Sequence, residues 1–337
     1  MTYQEVLANA RTCSGPYCKA CPICNGLACK NTMPGPGAKG LGTGAIRNYQ
    51  KWQEICVNMD TICENQEVDT SVSLFGRTFA VPFFAGPVGA VKLHYGDKYD
   101  DLAYNNILVP ACADNGFAAF TGDGADPAVF RSACTVIRES GAGIPTVKPW
   151  DRGTLMEKLE LARAAEPAAI AMDIDAAGLP FLQGRTPPAG SKTVAQLHEI
   201  ITCAQKPFIL KGIMTVRGAE KAAEAGAAAI VVSNHGGRVL DQCPATAEVL
   251  PEIVDAVGKE MTVLVDGGIR TGMDVFKALA LGAKGVLIAR PFVTAVYGGG
   301  AEGVALYAKK LQAELADTMA MCGVHAVSDI TRDCIRW

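Results

Sequence analysis

Short apolar runs recur along this chain from residue 79 onward, and most are followed by a stretch with helical spacing. Eight of them read as strands: Phe79–Ala85, Phe117–Phe120, Ile144–Val147, Ala168–Ile174, Pro207–Lys211, Ala228–Ser233, Thr262–Asp266 and Gly285–Ala289. Brief, continuously apolar runs of this kind suit parallel strands buried on both faces. Between them Met156–Ala165, Val194–Cys203, Val216–Ala225, Thr246–Val257 and Met273–Leu281 read as helices, and Ala301–Met321 as a long amphipathic helix closing the domain. Eight such units predict an α/β fold, a (β/α)8 TIM barrel in preference to a doubly wound sheet. Residues 46–66 read as a helix, or helix plus turn, entering the barrel. Residues 1–45, rich in Cys, Gly and Pro, read as a small irregular extension without a helix. The expected division is a Cys-rich segment over 1–45 and a barrel over 46–337.

Composition fits that picture. A chain of 337 residues with 49% apolar residues and 36 glycines can fill one large barrel with many tight turns. The formal net charge of −3, without a Lys/Arg run, argues against a nucleic-acid surface. The apolar runs fall far short of the ~20 residues that span a bilayer, so no membrane partner is expected. Met1–Ala10 shows no apolar core of a signal peptide, and the expected location is cytoplasmic. The 13 cysteines are then expected to be reduced, not a disulfide framework.

Barrel chemistry sits at the carboxyl ends of strands. Polar residues fall there on five candidate strands: Asp173 and Asp175, Lys211, Asn234 and His235, Asp266 with Arg270, and Arg290. The segment VVSNHGGRVLD, Val231–Asp241, carries the strongest signal. An imidazole ending a buried strand can act as a base near neutral pH, and Arg238 offers a planar fork for a carboxylate. A capped turn with a solvent-facing histidine is the plainer alternative. LVDGGIRTG, Leu264–Gly272, and LIARP, Leu287–Pro291, end the last two strands, where barrels often bind phosphate. Lys211 suits a Schiff base, a charge beside a cofactor ring, or an ion pair across the barrel.

These blocks, with AGPVGA at Ala85–Ala90, LKGI at Leu210–Ile213 and KALALGAKGV at Lys277–Val286, resemble the FMN-dependent 2-hydroxy-acid oxidases and dehydrogenases, such as glycolate oxidase and lactate oxidase. The resemblance runs from about Ile46 to Ile330. It implies FMN as cofactor and oxidation of a small 2-hydroxy acid to the 2-oxo acid. It implies His235 as base, Arg238 as carboxylate ligand, Asp175 as partner of the imidazolium and Lys211 beside the flavin. FMN contacts would come from Ala85, Gly86, Pro87, Thr121, Lys211, Ser233, Asp266, Gly267, Gly268, Arg270, Ala289 and Arg290. A homo-oligomer, tetramer or octamer, is also implied. The sequence departs from the family pattern in three places. No tyrosine precedes the first strand, Lys148 stands near a second tyrosine's position, and Thr121–Gly124 (TGDG) replaces an aromatic residue.

The resemblance does not cover Cys18, Cys21, Cys24 and Cys29, spaced C-x2-C-x2-C-x4-C. Four thiolates this close suit a [4Fe–4S] cluster, or zinc less well, against the alternative of simple reduced thiols. Two other readings of the whole chain stand beside the first. One is an FMN and iron–sulfur reductase or electron-transfer flavoprotein. The other is a non-redox FMN isomerase similar to type 2 isopentenyl diphosphate isomerase.

Overall fold

In the computed structural model, which describes residues 1–33 and 35–337, eight parallel strands form one sheet whose ends meet. In chain order they are β1 (Phe83–Ala85), β2 (Phe120–Thr121), β3 (Ile144–Val147), β4 (Ile170–Asp173), β5 (Phe208–Ile213), β6 (Ala229–Val232), β7 (Thr262–Asp266) and β8 (Gly285–Ile288). β8 pairs back onto β1, and a parallel bridge from Ala85 to Ala119 joins β1 to the approach of β2. The chain is therefore a (β/α)8 TIM barrel. Its helices follow the strands in turn: Asp101–Asp114, Pro127–Ser140, Arg152–Ala164, Val194–Ala204, Val216–Glu224, Thr246–Val257, Gly272–Ala280 and Arg290–Met321. Asp100, Asp126, Asp151, Thr193, Thr215 and Thr271 each accept a backbone N–H from the first turn of the helix they precede. Such caps satisfy donors that the helix itself leaves open.

Phe84, Phe120, Ile144, Ile209, Val231, Leu264 and Leu287 fill the barrel interior. A hairpin of Val72–Leu74 against Arg77–Phe79 plugs the amino-terminal end, and the Phe79 ring meets Phe84 edge-on at 5.0 Å. This corrects the expected first strand. Phe79 ends the hairpin, and Pro82, which has no N–H to give, separates it from β1. The plug fills the barrel interior at that end, and the cavity that holds the strand-end residues opens at the other.

The expectation of no helix in residues 1–45 is also corrected. Tyr3–Cys13 is helical, started by a capping box in which Thr2 and Glu5 exchange side-chain and backbone hydrogen bonds. Its apolar face docks on the Arg290–Met321 helix, with Tyr3 stacked on Tyr307 at 5.0 Å. A Cβ at Gly298 would lie 1.9 Å from the Val6 carbonyl oxygen, so only glycine lets the two backbones approach. The carboxyl-terminal helix breaks at Gly300 (φ 56°), just ahead of the expected start at Ala301. Among the described residues no helix is long and apolar enough to cross a membrane.

Candidate active site

The carboxyl ends of the strands open into a cavity of about 290 Å³. Of the residues expected there, Pro87, Lys211, His235, Arg238, Asp266, Gly267, Gly268, Arg270, Ala289 and Arg290 line it. Ala85, Gly86, Thr121 and Ser233 do not. Ala85, Thr121 and Ser233 are packed behind the wall, and the Gly86 N–H is taken by the Ile288 carbonyl at 2.9 Å. Asp175 stands one layer behind His235. Its Oδ1 lies 2.9 Å from His235 Nδ1.

Local backbone explains the His–Gly–Gly–Arg block. His235, Gly236 and Gly237 take φ of 55°, 64° and 79°, three left-handed residues in succession. Glycine tolerates this conformation and histidine tolerates it better than most residues. A Cβ on Gly236 would lie 2.6 Å from Arg290 Nη2, and one on Gly237 would meet Ala38 and Gly44. The block thus turns sharply beneath Arg290 and against residues 38–44, and the Ser233 hydroxyl accepts the His235 N–H at 3.1 Å.

Across the barrel, Lys211 Nζ is 2.9 Å from Asp173 and 3.6 Å from Asp266, so an ion pair across the barrel is what Lys211 makes here. Burial opposes its charge, but Asp173 and then Asp266 outweigh that and hold the lysine above its ordinary range. Burial likewise works against ionised Asp173. Lys211, His235 and Lys148 overcome it, and this carboxyl sits well below the usual carboxylate range. Asp266, buried and closer to its own desolvation cost, is raised despite Lys211. Burial brings the Arg238 guanidinium down to about 10, which leaves it charged at neutral pH.

Tyr95, Phe181 and His94, which the sequence did not single out, complete the wall with Lys148 and Asp123. Tyr95 is buried near Arg238 and Arg290. Phe181 lies under the Arg238 guanidinium at 5.6 Å, and the His94 ring packs on Phe181 at 5.3 Å. Lys148 lines the cavity, 3.8 Å from Asp173. Asp123, from the TGDG run, accepts from Lys158 at 2.6 Å, Trp150 Nε1 at 2.6 Å and the Lys148 N–H at 3.0 Å. It therefore braces the loops after β2 and β3.

Residues 14–33 and 35–42 lie along one side of the mouth, and carbonyls among them hold three of its arginines. Arg238 donates to Gly35 O at 3.2 Å, Arg270 to Cys24 O at 2.7 Å and Arg290 to Pro36 O at 3.4 Å. Beside them the helix Thr43–Glu54 supports the loop after β7. Trp52 Nε1 donates to Gly267 O at 2.7 Å, and a Cβ on Gly268 would lie 2.3 Å from Asn48 O.

The donor set suits FMN. Among the described residues, Asp266 Oδ1 has no hydrogen-bond partner, and its burial on the cavity wall fits a ribityl hydroxyl. Arg270 and Arg290 place two cations beside the loops that follow β7 and β8, which fits a phosphate.

Comparison with known proteins agrees. The family model described as FMN-dependent dehydrogenase matches residues 36–186 and 186–337. The FMN-dependent alpha-hydroxy acid dehydrogenase qulF of Penicillium citrinum is 32% identical over 307 residues, 79% of this chain and 76% of that one. A peroxisomal (S)-2-hydroxyacid oxidase of Arabidopsis thaliana is 50% identical over 130 residues, 39% of this chain and 36% of that protein's length. An L-lactate oxidase of a Roseobacter species is 46% identical over 143 residues, 42% and 39% of the two chains. Among solved structures, a mandelate oxidase with benzoyl-formic acid superposes with a TM-score of 0.79 at 27% identity, covering 99% of this chain and 97% of the other. A flavocytochrome b2 variant with pyruvate bound gives 0.77 at 25% identity, over 89% and 80%.

Proposed function

This chain belongs to the FMN-dependent dehydrogenase family, and from that premise we propose that it oxidises a small 2-hydroxy acid to the 2-oxo acid with His235 as base. The observation that carries the reading is the Asp175–His235 pair at 2.9 Å on the wall of the cavity that also holds Arg238 and Lys211. The names of the relatives, hydroxy-acid oxidases and dehydrogenases, support the reaction class.

Bound FMN supplies the two-electron acceptor. Asp266, Gly267, Gly268, Arg270, Ala289 and Arg290 would hold it by its ribityl chain and phosphate. Arg238 receives the substrate carboxylate through its planar fork, with Phe181 packed beneath to fix the plane. His235 holds Nδ1–H toward Asp175, which leaves Nε2 to take the proton. Asp175 then balances the charge that the imidazole gains. Lys211, held charged by Asp173 and Asp266, favours negative charge developing beside it. Leu93, Tyr95, Val129, Leu179 and Phe181 line the apolar part of the cavity and exclude water from this side.

The test is anaerobic mixing of the purified, FMN-loaded protein with a panel of 2-hydroxy acids, glycolate, lactate and mandelate among them. At least one is expected to bleach the flavin absorbance. Failure of every member to do so overturns the reading.

A further inference from the structure

The cysteine-rich stretch is held by unusually few contacts of its own. Between Pro16 and Ala28 there is no helix or strand, and one main-chain to main-chain hydrogen bond, Asn25 N to Ile23 O, is present among the described residues. Ile23 and Leu27 point outward, each 56% exposed. Only Ala20 of the apolar side chains in this stretch is buried, and Arg11 and Arg270 anchor two of its carbonyls, which offsets little of the entropy of ordering these residues. Ligation by several side chains would offset more.

Cys18, Cys21, Cys24 and Cys29 all line one cavity of about 370 Å³, and all four are free thiols, each half-buried. Lys19, Arg270 and Arg290 line the same cavity and set positive charge around the four thiols. Four thiolates on an iron–sulfur cube carry a net charge of roughly −2, which such cations offset.

The sequence spacing C-x2-C-x2-C is of the kind that ligates a [4Fe–4S] cluster, and the positions of the sulfurs do not favour zinc. Among the described residues, the one trio of acidic, histidine or cysteine ligand atoms lying within 4.8 Å of one another is Asp173, Asp175 and His235. No three of the four cysteine sulfurs therefore converge that closely. One zinc with bonds of ~2.3 Å needs its sulfurs roughly 4 Å apart. A cube takes one thiolate at each of its four irons, so its sulfurs stand wider.

We propose that Cys18, Cys21, Cys24 and Cys29 hold a [4Fe–4S] cluster in the cavity bounded by Tyr3, Tyr307, Arg270 and Arg290. The site stands independently of the hydroxy-acid reading. It shares Pro36, Arg270 and Arg290 with the cavity of His235. The cluster would therefore fix the backbone whose carbonyls hold those arginines.

The test uses the full chain, isolated anaerobically, incubated with ferrous iron and sulfide, desalted, and assayed for iron, sulfide, zinc and FMN on the same sample. The expected result is ~4 iron and ~4 sulfide per chain, with a broad visible absorbance that dithionite bleaches. Cys21→Ser and Cys24→Ser should each reduce iron to a trace, while Cys203→Ser, on the Val194–Ala204 helix, should leave it unchanged. Wild-type protein that takes up neither iron nor sulfide overturns the proposal, whatever the variants do. So does one zinc per chain without iron, or full iron content in Cys21→Ser. Because FMN is measured separately, loss of the flavin reading and loss of the cluster give different results.

Discussion

Asp175 reaches Nδ1 of His235 at 2.9 Å because the strand beside it carries no side chain at residue 212. Gly212 sits at a break in the register between β5 and β6, with φ of 105°, and a Cβ there would lie 2.5 Å from both Cβ and Cγ of Asp175. The orientation of the base thus depends on a backbone irregularity two elements away in sequence.

Gly212→Ala should displace Asp175 from His235. The strained φ and the overlap together should cost ~1–3 kcal/mol in stability, read by chemical denaturation. Flavin reduction by the best hydroxy acid should slow in stopped flow, while FMN affinity should stay close to wild type. A variant as fast as wild type would show that Asp175 does not need this placement.

Asp175→Asn keeps the shape but removes the charge that balances the imidazolium. Positioned acid–base catalysis contributes ~10²–10⁴-fold, and the flavin reduction rate should fall toward that scale. His235→Ala should lose a similar amount. If His235→Ala is reduced at the wild-type rate, His235 is not the base; if Asp175→Asn is, the charge of Asp175 does not serve it.

Arg238→Lys exchanges a bidentate fork over Phe181 for a point charge. A hydrogen bond to a charged group is worth ~1.5–3 kcal/mol, so KM for the hydroxy acid should rise tenfold or more, with a smaller change in kcat. Steady-state kinetics with a carboxylate substrate decides it. An unchanged KM would remove Arg238 from substrate binding.

Arg290→Ala should weaken FMN by a comparable tenfold or more, because one cation leaves the phosphate end. Titration of the flavin-free protein with FMN, followed by quenching of flavin fluorescence, measures this. Wild-type affinity in the variant would place the phosphate elsewhere.

Asp173→Asn leaves Lys211 buried with Asp266 as its remaining carboxylate, and breaking a buried pair costs ~3–5 kcal/mol. The Asp173 carboxyl is held below its ordinary ~3.9, so its contribution is fully present above that pH and is lost as pH falls through the lower folded value. The stability gap between wild type and variant should therefore be constant near neutrality and shrink below about pH 4. A gap that does not change with acid would contradict the pairing.

What could be read from the sequence divides along physical lines. Each barrel strand overlaps an expected apolar run, because burial on both faces leaves such a run; β7, Thr262–Asp266, matches residue for residue, whereas β2 shares only Phe120 with the expected Phe117–Phe120. The residues at strand ends were visible because a strand fixes where its last side chain points. Tyr95 ends a five-residue helix, Val91–Tyr95, and Phe181 sits in a single 3-10 turn, Pro180–Leu182, both too short for a helical period to mark them. The Tyr3–Cys13 helix was missed because its burial depends on a glycine notch at Gly298, almost 300 residues away, which local spacing cannot register. Asp123 reads as a polar turn residue, and only the approach of Lys158 and Trp150 from the next unit shows it as a brace.

The mouth of the barrel is tied by contacts of very long sequence separation. Lys39 N bonds Gly237 O, Arg270 bonds Cys24 O and Arg290 bonds Pro36 O. Such pairings close large loops, so they form after the local strand–helix units have assembled. On the ribosome the amino-terminal segment emerges early and waits, because its partners are the last strands to be made. The doorway is therefore closed by contacts that only the finished chain can make, and a flavin bound before they form need not part Arg270 and Arg290 from those carbonyls.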